Sequence, residues 1–348
     1  MAISYRPLDL GELMTRVTLR DVAAQAEVSV RTVSNVVNDF PHVAPATRRR
    51  VQAAISELGY RPNIAARQLR QGQRLTISLV LPEIDSPYFA EIAAHFVRAA
   101  EQRDWTVHIE QTDGELARER AMLNGTHGPG ADGIVFSPWS LAANEIQRGP
   151  SAPPVVMLGE RPGTGLVDRV AVDSVAAARQ ATAHLLAGGR TRIAAIGLQP
   201  HLSNETGRLR TQGYREALAA AGLTPDPALE MPVERLHRPD GARAMRHLLD
   251  RGADIDGVFC FTDQLALGAM HTLAAAGRSV PDDVAVIGFD DIEAGRYSVP
   301  TLSTVAPDKP RLVELVLDCL ADRLADHTLP ARERCVPHRL EIRQSSHP

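Results

Sequence analysis

The segment from Val17 to Asn38 has the pattern of two short amphipathic helices joined by a turn, and it constrains the chain more than any other stretch. Thr18 and Ser29 each stand where a hydroxyl can cap the start of a helix. Apolar residues recur at three- and four-residue spacing in both helices, so each should bury one face in a common core. These apolar residues are Val22, Ala23, Ala26, Val33, Val36 and Val37.

The opposite face of the second helix holds residue types that read DNA bases. In a major groove a guanidinium binds guanine, short polar side chains bind base edges, and an apolar side chain contacts the thymine methyl group. The pattern therefore predicts a helix-turn-helix, although a two-helix hairpin with a purely structural role has a similar outline. The residues on this face are Val30, Arg31, Ser34 and Asn35.

Two further helices are predicted after this motif. Thr47–Leu58 is amphipathic and can close a three-helix core, with Gly59 as its C-cap. The segment 61–72 has a proline suited to a first helical turn and ends at a glycine. Because it is short and has little apolar surface, this last helix should be marginal in isolation.

Charge is unevenly distributed along the chain. Residues 1–74 hold 11 arginines and 6 acidic residues, a formal charge of +5, whereas the remainder holds 27 basic and 36 acidic residues, a formal charge of −9. A basic N-terminal region suits contact with phosphates, and an acidic remainder avoids nonspecific binding along nucleic acid. The run Arg48–Arg50 could equally be a solvated helix face.

Length and composition exclude several classes of protein. The 348 residues are too many for one core and indicate several domains. There is no apolar run long enough for a membrane span, and residues 1–14 lack an export signal, so we expect a cytoplasmic protein. Cys260, Cys319 and Cys335 lack metal-ligand spacing and are expected to be buried. We expect neither a metal nor a cofactor.

From residue 75 onwards short apolar runs alternate with helical stretches, which is typical of parallel sheets covered by helices. Two doubly wound lobes should result, with ligands bound between them, beyond the carboxyl ends of the strands. Strands are predicted at Leu75–Leu81, Thr106–Ile109, Gly133–Phe136, Pro154–Met157, Arg192–Ile196, Gly257–Phe261 and Val284–Gly288. Helices are predicted at about 88–102, 116–123, 174–187, 206–221, 241–250 and 263–276.

Polar and aromatic residues follow the predicted strands and are candidates for a small-molecule site. Sugars and polyols are bound by Asp, Asn and Arg side chains together with an aromatic face. Structural ion pairs and ordinary core packing are the alternative roles for these residues. The candidates are Tyr88, Phe89, Ser137, Trp139, Arg161, Asn204, Thr206, Arg210, Thr262, Asp263 and Asp290, and Asp85 and Glu160 stand at the same strand ends.

Several motifs occur in a fixed order along the chain: Thr18–Ala23, Val28–Asn38, Gly59–Asn63 with Ala66–Leu69, Phe261–Ala269 and Val280–Asp291. Together they resemble the LacI/GalR family of bacterial transcriptional regulators, over residues 16 to about 345. The resemblance implies a homodimeric α/β protein with an N-terminal three-helix helix-turn-helix domain and a hinge helix. A two-lobed, periplasmic-binding-protein-like core with parallel sheets should follow.

The resemblance also implies domain boundaries. Residues 1–15 precede the family pattern and are expected to be disordered, and residues 61–74 form the hinge helix or linker. The expected domains are a helix-turn-helix domain at 16–60 and an effector-binding and dimerisation core at 75–345, with lobe 1 at about 75–173 and 305–330 and lobe 2 at about 174–304 and 331–345.

The family positions extend the set of site residues. Leu69 resembles the family's minor-groove wedge, which in a dimer would kink the centre of a palindromic operator, whereas packing on the core is the alternative. Arg210 and Asp290 match the positions where ligand contacts are most reproducible in the family. The DNA contacts expected are Thr18, Ser29, Val30, Arg31, Thr32, Ser34, Asn35, Asn38, His42, Thr47, Asn63, Ala66 and Leu69.

The sequence thus predicts a nucleoid-associated, sequence-specific transcriptional repressor controlled by a small polar metabolite, such as a sugar or sugar derivative. Leu236 or His237 stands where the family often has an aromatic residue, so a phosphorylated or non-sugar ligand read by Arg161 and Arg210 stays open. An activator or a co-repressor-dependent repressor is the alternative. A solute-binding protein would lack residues 17–73, and no motif of an enzyme is present.

Overall fold

The N-terminal helices begin at side-chain caps. Thr18 Oγ1 accepts a hydrogen bond from the Asp21 amide at 3.4 Å, and the Asp21 carboxylate accepts one from the Thr18 amide at 2.7 Å. Ser29 Oγ accepts from the Thr32 amide at 3.1 Å. Both predicted caps are confirmed. The helices that follow are α1 (Leu19–Gln25), α2 (Val30–Val37) and α3 (Pro45–Leu58).

The computed structural model describes residues 18–37, 40, 43–58, 75–123, 130–141, 145–146, 153–160, 165–200, 205–326 and 328–347. The chain divides into two units, Met1–Arg74 and Leu75–Pro348. In the first unit the three helices close on one apolar cluster, in which Val22, Val33 and Val51 are each 0% exposed. The predicted extension 1–15 and hinge helix 61–74 lie outside the described residues.

The second unit contains two parallel-sheet lobes, as predicted. The sheet of lobe 1 has the order β11-β5-β4-β3-β1-β2 and is parallel throughout. Three of its six strands, β1, β3 and β4, are nearly continuous buried apolar runs, as expected where helices cover both faces. Its strands are β1 (Thr76–Leu81), β2 (Thr106–Gln111), β3 (Gly133–Phe136), β4 (Val155–Leu158), β5 (Asp168–Val172) and β11 (Glu333–Val336).

The sheet of lobe 2 has the order β12-β10-β9-β8-β6-β7, and only β12 runs antiparallel to its neighbour. Its strands are β6 (Ile193–Leu198), β7 (Glu230–Pro232), β8 (Gly257–Cys260), β9 (Ala285–Phe289), β10 (Ser303–Pro307) and β12 (His338–Glu341). The helices of the second unit are α4 (Pro87–Glu101), α5 (Leu116–Leu123), α6 (Ser174–Ala187), α7 (Glu205–Ala220), α8 (Arg238–Asp250), α9 (Asp263–Ala275), α10 (Glu293–Arg296) and α11 (Lys309–Ala325).

The chain crosses between the lobes later than two of the predicted boundaries. All of β10 belongs to the second sheet, so the chain returns to lobe 1 after Pro307 rather than at 304/305. β11 pairs with β5 in the first sheet, so the final crossing follows Val336 rather than residue 330. The sequence pattern missed β11 because three of its four residues are exposed.

The cysteines differ in environment. Cys260 and Cys319 are buried, as predicted, but Cys335 is exposed, so that prediction is wrong. The reason is that β11 forms the edge of its sheet and only Val336 of this strand is buried. In the part of the chain that the structure describes, no helix combines the length and apolar character needed to cross a membrane.

Candidate functional site

The face of α2 predicted to read DNA is turned away from the helical core. Val33 and Val36 are 0% and 6% exposed, whereas Val30 is 39% exposed and Arg31 is also exposed. Thr18 and Ser29 are exposed, and four further predicted contacts, Thr32, Ser34, Asn35 and Thr47, are partly exposed. The predicted contacts that lie outside the described residues are Asn38, His42, Asn63, Ala66 and Leu69.

In the second unit a cavity of about 90 Å³ lies between the lobes, at the carboxyl ends of strands from both sheets. On this measure one buried water needs about 10–15 Å³, so the space suits a ligand of several heavy atoms. Its wall consists of Glu83, Ser86, Tyr88, Phe89, Ser137, Pro138, Trp139, Leu158, Gly159, Glu160, Glu205, Thr206, Arg210, Leu236, His237, Thr262, Gln264, Asp290 and Ile292.

The structure brings most of the predicted effector residues together in this wall. They are Tyr88, Phe89, Ser137, Trp139, Thr206, Arg210, Thr262 and Asp290. Arg161 and Asn204 lie outside the described residues.

Asp263 does not line the cavity, contrary to expectation. Thr262 caps α9, and Asp263, the first residue of the helix, is 0% exposed. Its carboxyl group accepts hydrogen bonds from the Ile292 amide at 2.9 Å and from Thr304 Oγ1 at 2.6 Å. Burial and the nearby carboxylate of Asp290 raise its pKa well above the usual value. Asp263 therefore ties α9 to the ends of the neighbouring strands rather than facing a ligand.

The aromatic residues lie along one margin of the lobe 1 core. Phe89 is 9% exposed and belongs to that core, and the rings of Tyr88 and Trp139 lie 5.2 Å and 6.4 Å from its ring. The buried carboxylate of Glu119 accepts from the amides of Trp139 at 2.7 Å and of Leu141 at 2.6 Å, which fixes the loop after β3. These rings thus both pack and line the cavity.

Arg210 is the central cation of the cavity wall. Its guanidinium lies on the Phe289 ring, with Cζ 3.5 Å from the ring centroid, and Nη1 donates to the Phe261 carbonyl. Nη2 donates to Glu160 Oε1 at 3.2 Å, and Nε lies 3.5 Å from Ser174 Oγ. With 7% of its side chain exposed, Arg210 is held in one orientation.

Glu160, which stands with Arg161 after the fourth predicted strand, joins the two lobes. It follows β4 of lobe 1 and accepts from Ser174 Oγ at 2.8 Å and Thr206 Oγ1 at 2.9 Å, both in lobe 2. Burial alone would raise its pKa, but the Arg210 charge and these hydroxyl groups outweigh it and hold the pKa below the usual value.

The pKa of Asp290 shifts in the opposite direction to that of Glu160, because at Asp290 burial outweighs the nearby positive charges. Burial raises its pKa to about 7, against the attraction of Arg210 and Lys309, and the Glu160 charge contributes to the rise.

A second contact between the lobes was not predicted from the sequence. Glu83 follows β1, His237 precedes α8, and His237 Nε2 lies 2.8 Å from Glu83 Oε2. The signal was present, since His237 occupies the stretch where the sequence departs from the family's aromatic pattern. Its partner lies 154 residues away and has no signal of its own.

A three-helix unit with the predicted helix-turn-helix, followed in the chain by a two-lobed unit around a cavity of aromatic and hydrogen-bonding groups, is the architecture of a ligand-responsive DNA-binding regulator. The profile described as "Bacterial regulatory proteins, lacI family" matches residues 18–63, and "Periplasmic binding protein-like domain" matches residues 182–346. The ribose operon repressor of Escherichia coli (strain K12) is 33% identical over 314 residues, which cover 90% of this chain and 94% of the relative. The chain therefore belongs to the lacI family of bacterial regulatory proteins.

Two solved structures are similar over nearly the whole chain. The transcriptional regulator CelR–cellobiose complex has 32% identity and a TM-score of 0.70, and covers 95% of this chain and 100% of its own. The lac repressor dimer bound to operator and the anti-inducer ONPF has 26% identity and a TM-score of 0.77, with coverage of 95% and 99%.

Proposed function

We propose that the chain is a dimeric repressor whose affinity for a two-fold symmetric operator falls when an uncharged, polyhydroxylated metabolite binds between its lobes. The observation that carries this proposal is the cavity wall, which combines aromatic rings with hydrogen-bonding groups from both sheets. Carboxylates outnumber cations among its described residues. The carboxylates are Glu83, Glu160, Glu205 and Asp290, and the basic groups are Arg210 and His237. This balance disfavours the phosphorylated ligand that the sequence left open.

The relatives support the same assignment. One is named for the ribose operon, one structure contains cellobiose, and one contains a repressor dimer on its operator. All of them are regulators rather than enzymes, so we propose a non-enzymatic role. Since the operator is chromosomal DNA, the site of action would be the cytoplasm.

Effector binding is tested with a panel of D-ribose, D-glucose, D-galactose and cellobiose, set against ribose 5-phosphate and glucose 6-phosphate. Trp139 lines the cavity, so its fluorescence should change when a ligand binds. A ligand at 100 times its Kd stabilises the protein by about 2.7 kcal/mol and should raise the midpoint of thermal unfolding. Stabilisation by the phosphates alone, or by no member of the panel, would count against an uncharged sugar.

For DNA reading we propose that Arg31 and Asn35 contact base edges and that Val30 contacts a thymine methyl group. Arg31→Ala should cost about 1–3 kcal/mol at particular operator positions and change the selected sequence. Arg49→Ala, on an exposed face of α3, is the control and should leave sequence preference unchanged. A selection that returns one motif for wild type and Arg31→Ala would contradict this role. We also propose that Leu69 is a minor-groove wedge, on the basis of the sequence motif Ala66–Leu69.

Gating follows if the effector favours one arrangement of the lobes. Arg210 and Asp290 belong to lobe 2, whereas Tyr88 and Glu160 belong to lobe 1, so a ligand in the cavity touches both. The coupling between effector and operator should be about 1–3 kcal/mol. Arg210→Ala and Asp290→Ala should bind operator DNA but not release it on effector addition, measured by fluorescence anisotropy. Tighter operator binding with effector would instead indicate a co-repressor.

A further inference from the structure

We infer that Glu160 determines the charge selectivity of the cavity: by occupying the guanidinium of Arg210 from the opposite lobe, it excludes anionic ligands and leaves donors for neutral hydroxyl groups. The inference rests on the proposed function in taking this cavity as the effector site. It assigns the selectivity to one residue that the family motifs quoted above do not include.

The geometry of Arg210 is the first support. A guanidinium has five N–H donors and ordinarily forms a fork for a carboxylate or phosphate. Here Nη1 already donates to the Phe261 carbonyl, Nη2 to Glu160 Oε1, and Nε faces Ser174 Oγ. One donor remains on each terminal nitrogen, which suits two hydroxyl groups better than a second anion.

The second support is that Glu160 cannot easily move aside. Its side chain is 14% exposed, and both carboxylate oxygens are engaged, Oε1 by Ser174 and Arg210 and Oε2 by Thr206. An anionic ligand would have to break these bonds or approach a guanidinium whose positive charge Glu160 already offsets. A neutral polyol carries no such cost.

The third support is the rest of the wall. Among the described cavity residues Arg210 is the only guanidinium, and the only other basic group, His237, already contacts Glu83. Lys309, a further cation near Asp290, does not line the cavity and is paired with Glu91.

The test uses the full chain and inorganic phosphate as the anion, with sodium chloride at equal ionic strength as the reference. Binding is measured by isothermal titration and by tryptophan fluorescence. Glu160→Gln should lower the Kd for phosphate at least ten-fold relative to wild type. Glu160→Gln with Asp290→Asn should lower it further, because Asp290 is the remaining carboxyl group near Arg210. Glu160→Ala is the second variant should the glutamine variant not fold.

Matched controls separate this role from a general change of charge. Glu216→Gln removes a carboxylate of α7, the helix of Arg210, that lies outside the cavity wall and pairs with Arg179, and it should leave phosphate affinity as in wild type. Adding Arg210→Gln to Glu160→Gln should abolish the gain.

Each outcome decides the inference. A gain that requires Arg210 supports it. No gain in any Glu160 variant, an equal gain in Glu216→Gln, or a gain that survives Arg210→Gln would overturn it. Failure of every uncharged sugar to bind the wild type would refute the proposed effector class, but the phosphate result would still decide the role of Glu160.

Discussion

Two adjacent carboxyl groups after β9 should respond to pH in opposite directions. Burial raises the pKa of Asp290 to about 7. Burial alone would also raise the pKa of Asp291, but hydrogen bonds from Arg343 at 2.6 Å and Arg296 at 2.7 Å hold it below the usual value. We therefore expect Asp290→Asn to stabilise the second unit at neutral pH and Asp291→Asn to destabilise it.

The magnitude follows from proton linkage. A raised folded-state pKa means that the native state keeps a proton that the unfolded chain has released, so wild-type stability falls between about pH 4 and pH 7 and then levels off. One pKa unit corresponds to 1.36 kcal/mol, so a pKa near 7 for Asp290 gives a loss of up to about 4 kcal/mol. Asp290→Asn removes this loss, and its unfolding midpoint should exceed that of wild type by roughly 8 °C at pH 8.

For Asp291 the sign is reversed. Its carboxylate contributes stability above the ordinary pKa of an aspartate, and this contribution is lost as the pH falls through the lowered value. Asp291→Asn should cost roughly 1–3 kcal/mol at pH 7, because Arg343 is left partly buried without its anion, and progressively less in acid.

The assay is thermal unfolding of the full chain between pH 4.5 and pH 8, followed by tryptophan fluorescence. The chain has only two tryptophans, Trp105 and Trp139, and both lie in the second unit, so the signal reports that unit alone. A raised pKa of Asp290 is ruled out if the unfolding midpoints of Asp290→Asn and wild type differ by the same amount at pH 5 and pH 8. Shifts of Asp290→Asn and Asp291→Asn in the same direction at pH 8 would refute it equally.

The helical elements of the first unit were predictable because their determinants are local. Thr18 caps through a residue three positions away, and the same is true of Ser29. Val33 and Val36 of α2 recur at helical spacing, so their burial follows from the sequence of one segment.

The cavity was predictable in part. The carboxyl ends of parallel strands meet at one edge of a sheet, which placed Ser137, Thr262 and Asp290 together from strand positions alone. The same reasoning placed Glu160 at a strand end, but its contacts with lobe 2 were not predictable. These contacts, like the pair of Glu83 with His237, depend on which side chains meet across the two lobes, and strand patterns carry no such information. The prediction for Asp263 was wrong because Thr262 caps the helix that Asp263 begins, and the Asp263 carboxyl group is buried against Ile292 and Thr304.

Three predictions concern packing and closure. Asp168→Asn should destabilise the second unit by about 3–5 kcal/mol, since this 0% exposed carboxylate binds two arginines; an unchanged fluorescence midpoint would contradict it. Gly268→Ala should cost about 1–3 kcal/mol of unfolding free energy in the same assay, because a Cβ there would lie 2.0 Å from the Arg238 carbonyl oxygen. An unchanged midpoint would mean that α8 and α9 separate without cost. The Glu83–His237 hydrogen bond spans the lobes and should therefore favour their closed arrangement. The net contribution of this hydrogen bond is about 1 kcal/mol, so Glu83→Ala and His237→Ala should each weaken effector binding roughly five-fold. The double variant should lose no more than either single one, because both remove the same bond. Additive losses in a fluorescence titration would mean that the two side chains act separately, and the lobes would then be held together by the contacts of Glu160 instead.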